Sequence, residues 1–273
     1  MNVAILGLGI IGSIWARNLH QDGLNVKVWN RTRKDFPGWR DTPEEAASAA
    51  DLIVIVVSDP AAVQDVLARI LPVLKPGQVV MQSSTISPSW TLEFAARVKA
   101  AGADFLEAPF TGSKPAAEAR KNVFYVGGEA RILDKARPAL ERLAAKIQHV
   151  GDLGKGSAIK LAMNMNIALV LQALSESRRF ALSLGLTDDI FFEALAGNVS
   201  RSGIADLKEP KLRSRDFSPQ FSLKHMDKDL RLAEGDAKDL YLPLFRSLRG
   251  VYRQGMERGL ADSDFAVLDN LPG

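Results

Sequence analysis

The distribution of apolar positions divides the chain into two regimes. Up to residue 151, short runs rich in β-branched residues at 3–6, 26–29, 52–57, 79–81, 104–107, 123–126 and 147–150 predict strands. Amphipathic segments at 11–21, 60–74 and 88–101 predict helices between them. Strands that are apolar almost throughout bury both faces, so the pattern implies a mostly parallel sheet covered by helices on either side. Beyond Gly156 only the helical period persists. A run over 157–184 has no interior Gly or Pro and is closed by Gly185, long enough to join two domains and form part of the second. Further helices are predicted at 188–196, 222–238 and 243–258, whereas the polar stretch 197–219, with its Gly and Pro, reads as a partly irregular connector. The expected architecture is α/β: residues 1–155 form a doubly wound sheet domain and residues 156–273 an all-α domain, joined by a long interdomain helix.

A length of 273 residues is long for one compact domain and short for three, which agrees with that division. The absence of cysteine excludes disulfides, thiolate ligands and cysteine nucleophiles. His20, His149 and His225 are isolated and show no ligand spacing, so no metal site is expected and the three histidines read as solvated or structurally bonded. A net charge of +3, with the cations scattered among nearly as many acids, argues against nucleic-acid binding and suits attraction of small anions. The chain opens directly on a strand and no apolar run approaches membrane-spanning length, so a soluble, cytoplasmic protein is expected.

Candidate chemistry begins at Gly7-Leu-Gly9-Ile10-Ile11-Gly12, which follows one strand, opens a helix and precedes a second strand. That context turns a weak glycine motif into a dinucleotide-binding turn of the Rossmann type. Gly7 permits the tight turn, Gly9 lets the backbone approach a pyrophosphate, and Gly12 allows helix to pack on strand, with the helix N-terminus facing the phosphates. A carboxylate at the end of the second strand would bind a ribose 2′-hydroxyl and repel a 2′-phosphate. The chain has Asn30-Arg31-Thr32-Arg33-Lys34 there instead, so NADP is the expected cofactor.

A second constellation is Gly151-Asp-Leu-Gly154-Lys-Gly156 followed by Lys160 and Asn164, which stand four apart on one helix face. Gly156 precedes Lys160 by four, and its missing side chain is expected to leave room for a ligand. Ala158, Ile159, Leu161, Ala162 and Met163 surround the lysine with apolar positions, so it is not expected on a solvated face. Reducing an aldehyde needs a hydride at carbon and a proton at oxygen, and Lys160 is the candidate donor. Thr111-Gly112, after Pro109, read as a loop able to offer a hydroxyl and amides to a carboxylate, although turn formation explains them equally well. Lys224, Lys228 and Arg231 with Asp227 and Asp229 read as an exposed ion-pair face.

These blocks, with Glu107-Ala-Pro-Phe-Thr-Gly112 and Lys228-Asp-Leu-Arg-Leu-Ala233, resemble the β-hydroxyacid dehydrogenase family in the family's order and over nearly the whole chain. Ser113 to Glu118 and Phe221-Ser-Leu-Lys-His225 look most like its glyoxylate/succinic semialdehyde reductase branch, which implies NADPH. The resemblance implies an active site in an interdomain cleft, a small carboxylate-bearing substrate and a homodimer or homotetramer. It makes Lys160 the catalytic residue and Asn164 its partner. It assigns Ser84, Thr85, Thr111, Gly112, Phe221 and Asp229 to the substrate and Lys228 to the cofactor. The chain departs in Ile11 where methionine is frequent, Gln82 where an acid is usual, Thr111 for serine and Ser113 for a second glycine. Rival readings are a 3-hydroxyisobutyrate dehydrogenase, an imine reductase, against which Lys160 argues, and a non-catalytic NADP-binding protein.

Overall fold

The computed structural model describes residues 1–237 and 239–271. Lys238, the last residue of the helix expected over 222–238, lies outside the described residues. The chain forms two compact units, residues 1–161 and 162–273.

The first unit contains β1 (Asn2–Leu6), α1 (Ile10–Gln21), β2 (Asn25–Trp29), α2 (Pro43–Ala47), β3 (Leu52–Ile55), α3 (Pro60–Ile70), β4 (Val79–Gln82), α4 (Pro88–Ala100) and β5 (Asp104–Glu107). It continues with β6 (Phe110–Thr111), α5 (Lys114–Glu118), β7 (Asn122–Gly127), α6 (Ala130–Leu140), β8 (Ala144–Gly151) and the start of α7 (Lys155–Ser183). Strands β2, β1, β3, β4 and β5 pair in parallel in that order. β7 joins β5 antiparallel through Glu107 and Gly127, pairs antiparallel with β6, and pairs in parallel with β8. Successive residues along the strands alternate between two cores: Val3, Ile5 and Val54 enter one, Ala4, Leu6 and Ile53 the other. Both faces are therefore covered, as near-continuous apolar strands require.

Helix starts follow local chemistry. α2, α3 and α4 each have Pro in the first turn behind a capping Thr42, Asp59 or Ser87, whose side chain accepts an amide of that turn. α3 stops at Ile70 rather than residue 74, because Pro72 continues it only as a 3-10 turn. α2, α5, α6 and β6 were absent from the sequence expectation; α2 and α5 are single turns, and α6 carries Pro138 in its interior.

The second unit contains the rest of α7, α8 (Asp188–Ala196), α9 (Gly203–Ser214), α10 (Leu223–Asp236), α11 (Pro243–Glu257) and a 3-10 turn, Phe265–Asn270. Its core joins Ala168 and Leu171 of α7 to Leu212, Leu230, Leu248, Tyr252 and Phe265. The irregular connector expected at 197–219 is corrected here: α9 runs through it. Ser202 caps α9 by accepting the Ala205 amide, and burial of Ala205, Lys208, Lys211 and Leu212 outweighs the interior Pro210. A second correction concerns α7, the one described helix long and apolar enough by length and composition to cross a membrane, contrary to the expectation that no run approaches such length. Here it buries Ser157, Lys160, Asn164, Ser175 and Arg178, polar groups that need partners wherever they leave water.

Candidate active site

The glycine turn uses its three glycines differently. Gly7 sits at φ +115°, and a Cβ there would lie 2.2 Å from the Val56 carbonyl oxygen. A Cβ on Gly12 would lie 2.0 Å from the Gly7 carbonyl oxygen, so both positions are glycine because protein fills the space. Nothing lies within 4 Å of a Cβ on Gly9, which caps α1 without a side chain. Ile10 is exposed, and the first turn of α1 has no acidic residue. An open backbone approach before an uncapped helix N-terminus fits a dinucleotide pyrophosphate. Asn30 ties the end of β2 to this turn: its Oδ1 accepts the Leu8 amide at 2.9 Å and its Nδ2 donates to the Thr32 carbonyl at 2.8 Å. Asn30 thus shapes the turn with both ends of its amide, and the next two residues, Arg31 and Thr32, are exposed. Lys34, which was not among the candidate residues, donates through Nζ to the Leu8 carbonyl and adds a cation at the glycine turn. Arg33 is directed elsewhere, 5.9 Å from the Trp39 ring and 3.7 Å from Asp41.

Ser84 is buried, and its Oγ accepts the Val57 amide at 2.8 Å, holding the segment after β4 to the segment after β3. Gln82 reinforces this, accepting the Ser84 amide and donating to the Ser84 carbonyl at 3.0 Å. An ionised acid at position 82 could only accept, so glutamine closes a ring that the family's usual carboxylate cannot. Half-buried Thr85 follows directly. Thr111 lies in β6, opposite Val123, rather than in the loop expected, because antiparallel pairing with β7 takes up its backbone. Gly112 has φ +134°, and a Cβ there would lie 2.4 Å from Asn122 Nδ2. Asn122 Oδ1 accepts the indole N–H of Trp15 at 3.0 Å, which fixes that wall.

Lys160 is 9% exposed and Asn164 is buried, one turn further along α7. Of the apolar neighbours, Ala158, Ile159, Ala162 and Met163 are half-buried or exposed and Leu161 is buried, so the buried side here carries Lys160 and Asn164 with Leu161. The room expected beside Gly156 is corrected: a Cβ there would lie 2.6 Å from the Tyr125 carbonyl and 3.0 Å from the Glu107 carboxyl carbon. Protein, not ligand, occupies that space. The fully buried Glu107 carboxylate accepts the Gly156 amide at 2.9 Å, the Ser157 amide at 2.9 Å and the Ser157 hydroxyl at 2.6 Å. Ser157 Oγ also lies 2.8 Å from Thr91 Oγ1. Glu107 therefore anchors the α7 N-terminus, where a negative charge is favoured, one turn before Lys160. No local pattern marks Glu107 for this role, since its partners Gly156 and Ser157 lie 49 and 50 residues away.

In the second unit, Asn164 Nδ2 donates to Asp229 Oδ2 at 2.6 Å, and Lys228 Nζ lies 2.8 Å from Asp229 Oδ1. The exposed ion-pair face expected on α10 is corrected, because Asp227 and Asp229 are buried. Asp227 is held by Arg249 at 2.6 Å and Arg231 at 3.0 Å, while Lys224 reaches out to Asp262. Phe221 is half-buried and packs on the rings of His225 and Phe265, with centroids 6.0 and 6.2 Å away. His225 Nδ1 lies 2.6 Å from Ser222 Oγ, and burial, then Lys228 and Lys224, hold its pKa below the ordinary value. A cavity of about 440 Å³ in the same unit is lined by Arg178, Arg179, Leu182, Arg215, Asp269 and Asn270 and contains none of these candidates. Arg178 there is already held by Asp188 and Asp269.

The structure therefore groups Gly7 to Gly12 with Asn30 in the first unit, and Asn164 with Lys228 and Asp229 in the second, while α7 carries both Lys160 and Asn164. Residues 2–151 match the NAD binding domain of 6-phosphogluconate dehydrogenase, and residues 154–270 match the NAD-binding domain of NADP-dependent 3-hydroxyisobutyrate dehydrogenase. The chain is 29% identical to the chloroplastic glyoxylate/succinic semialdehyde reductase 2 of Arabidopsis thaliana, over 98% of this chain and 78% of that protein. A 3-hydroxyisobutyrate dehydrogenase of Mycobacterium tuberculosis, solved with L-serine, superposes with a TM-score of 0.90 at 28% identity, covering 98% of this chain and 97% of the other. An imine reductase from Myxococcus stipitatus, at 21% identity, TM-score 0.68 and coverage of 98% and 97%, shares the fold. With both halves matched in sequence and the glycine turn open at Gly9, the chain belongs to the β-hydroxyacid dehydrogenase family of nicotinamide-dependent oxidoreductases.

Proposed function

We propose that the protein is an NADPH-dependent reductase of short aldehydes bearing a carboxylate, of the glyoxylate or succinic semialdehyde type. The observation that carries this reading is the burial of Lys160 and Asn164 along one face of α7, with Asn164 bonded to Asp229. A lysine removed from water beside an amide fixed by a carboxylate suits a proton donor. When bound, the nicotinamide supplies the hydride. Lys160, as an ammonium, stabilises the charge developing on the carbonyl oxygen and then protonates it, so aldehyde, hydride and proton give the alcohol. Asn164, restrained by Asp229, orients the reacting end. The Thr111 hydroxyl and the neighbouring amides hold the substrate carboxylate, and Ser84, which pins its own segment, presents Thr85. Phe221 and Asp229 are assigned to the substrate and Lys228 to the cofactor on the family resemblance.

NADP is favoured because no carboxylate stands at the end of β2, where exposed Arg31 can pair with a 2′-phosphate. Phe180, exposed on α7, and Leu184, exposed just after its end, suit an assembly of two or four copies, which light scattering would establish. The test of the whole reading is a kinetic panel of glyoxylate, succinic semialdehyde, tartronate semialdehyde, 3-hydroxyisobutyrate and a cyclic imine with both cofactors. Highest kcat/KM for a semialdehyde or glyoxylate with NADPH is expected. Preference for NADH, or faster turnover of the imine, would contradict it.

A further inference from the structure

One buried ion pair outside the residues assigned above is built around the backbone of Phe221. Lys208 on α9 is 1% exposed, Asp264 is fully buried, and Lys208 Nζ lies 2.8 and 2.9 Å from the two carboxylate oxygens. Asp264 Oδ2 accepts the amides of Gln220 at 3.0 Å and Phe221 at 3.2 Å, and Oδ1 accepts that of Ala266 at 3.1 Å. Lys208 Nζ also reaches the Gln220 side-chain oxygen at 3.3 Å and lies 4.7 Å from the centroid of the Phe265 ring. The Phe221 carbonyl accepts the Phe265 amide at 3.1 Å, so both peptide groups of Phe221 are tied to the segment that Asp264 opens. One turn along α9, Lys211 donates to the Asp216 and Ser218 carbonyls of the same loop.

A buried ion pair commonly contributes little net stability compared with apolar side chains of the same size, because desolvation offsets attraction. What it supplies is direction: four donor groups make five hydrogen bonds to one carboxylate, and two of those groups are the amides of Gln220 and Phe221. An apolar pair would fill the volume and leave those amides without an acceptor. We infer that Lys208 and Asp264 are positioning residues that fix Phe221, and through it set which length of aldehyde acid the enzyme accepts. The second half of that inference rests on the assignment of Phe221 to the substrate proposed above.

Replacing Lys208 alone would strand a buried carboxylate, which threatens folding. The test therefore uses Lys208→Met/Asp264→Asn, with Phe221→Ala as reference, each loaded with NADPH. Amide hydrogen exchange reads positioning without activity: the Gln220 and Phe221 amides are expected to exchange about tenfold faster in the double variant, with α11 unchanged. Its ratio of kcat/KM for glyoxylate over succinic semialdehyde is expected to move roughly fivefold, with kcat on the better substrate and KM for NADPH nearly kept. Phe221→Ala should move the same ratio, and combining all three changes should move it no further. Unaltered exchange at Gln220 and Phe221 would overturn the positioning role. Faster exchange with an unmoved ratio, while Phe221→Ala does move it, would overturn the specificity role. An unmoved ratio in Phe221→Ala would instead remove the assignment of Phe221 to substrate, and the specificity role with it, leaving exchange to decide positioning.

Discussion

Glu107 Oε1 accepts the amide of Gly156 at 2.9 Å, and through this contact the end of β5 holds the first turn of the helix that carries Lys160. The space a Gly156 side chain would take is occupied by the Tyr125 carbonyl and the Glu107 carboxylate. Glu107→Gln replaces one acceptor oxygen with an N–H group that faces amide donors, and a buried donor left unsatisfied costs about 1–3 kcal/mol. Glu107→Gln and Gly156→Ala should both lower the thermal unfolding midpoint. Gly250→Ala, in α11 with nothing within 4 Å of the new Cβ, should raise stability by about 0.4–1 kcal/mol. Equal behaviour of Gly156→Ala and Gly250→Ala in thermal scans would refute the anchor.

Cofactor choice is expected to sit in Arg31 rather than Asn30, since both ends of the Asn30 amide are engaged by backbone. Loss of a charge-assisted phosphate contact costs roughly ten- to a hundredfold in affinity. Arg31→Ala should weaken NADPH by that factor in fluorescence titration and leave NADH nearly unchanged. Lys34→Ala removes the contact to the Leu8 carbonyl as well and should weaken both dinucleotides. Parallel losses of both cofactors in Arg31→Ala would remove the NADP assignment.

The carboxylate anchor is best probed at Thr111. Gly112 is at φ +134° against Asn122, so any side chain there disturbs the backbone before it reports on binding. Thr111→Val keeps shape and strand propensity while deleting the hydroxyl, and should raise KM for glyoxylate by about tenfold. NADPH binding should be unaffected, and an uncharged aldehyde of similar size should show no change in KM. If both aldehydes lose equally, Thr111 contributes structure and not recognition.

His225 gives stability a pH dependence. Burial, assisted by Lys228 and Lys224, holds its folded pKa below the ordinary value of 6.5, so the unfolded chain takes up the proton first. Its contribution is therefore present above about pH 6.5 and is lost as pH falls below that value through the lower folded pKa. Urea unfolding at a series of pH values should show free energy declining on acidification, with a shallower decline in His225→Asn. Identical slopes in the two proteins would assign the dependence to other groups.

Much of the first unit was legible because its information is local. Strand β5 was read with its observed bounds, and Gly12 is glycine because a Cβ there would meet the Gly7 carbonyl of the same turn. Lys160 was legible from its apolar neighbours, although of those neighbours only Leu161 is buried with it. What escaped reading depends on distant partners. Gly156 reads locally as room for a ligand because Glu107, which fills that space, lies 49 residues away. Asp227 and Asp229 were read as solvated charges because Arg249 and Asn164, which bury them, are 22 and 65 residues distant. Helix α9 was hidden by Gly203 and Pro210, local breakers overruled by burial of Ala205, Lys208 and Leu212.

The central claim is that Lys160 donates the proton in reduction, and the most direct measurement is turnover by folded, NADPH-saturated Lys160→Ala on the best aldehyde substrate of the wild type. General acid catalysis by a positioned group contributes about 10²–10⁴-fold, so turnover should fall by that order while NADPH affinity and the thermal midpoint are retained. Asn164→Ala should act in the same direction and less severely, because Asp229 restrains an orienting amide and not the donor itself. Turnover of Lys160→Ala within a few-fold of wild type would contradict the account and place the proton donor elsewhere.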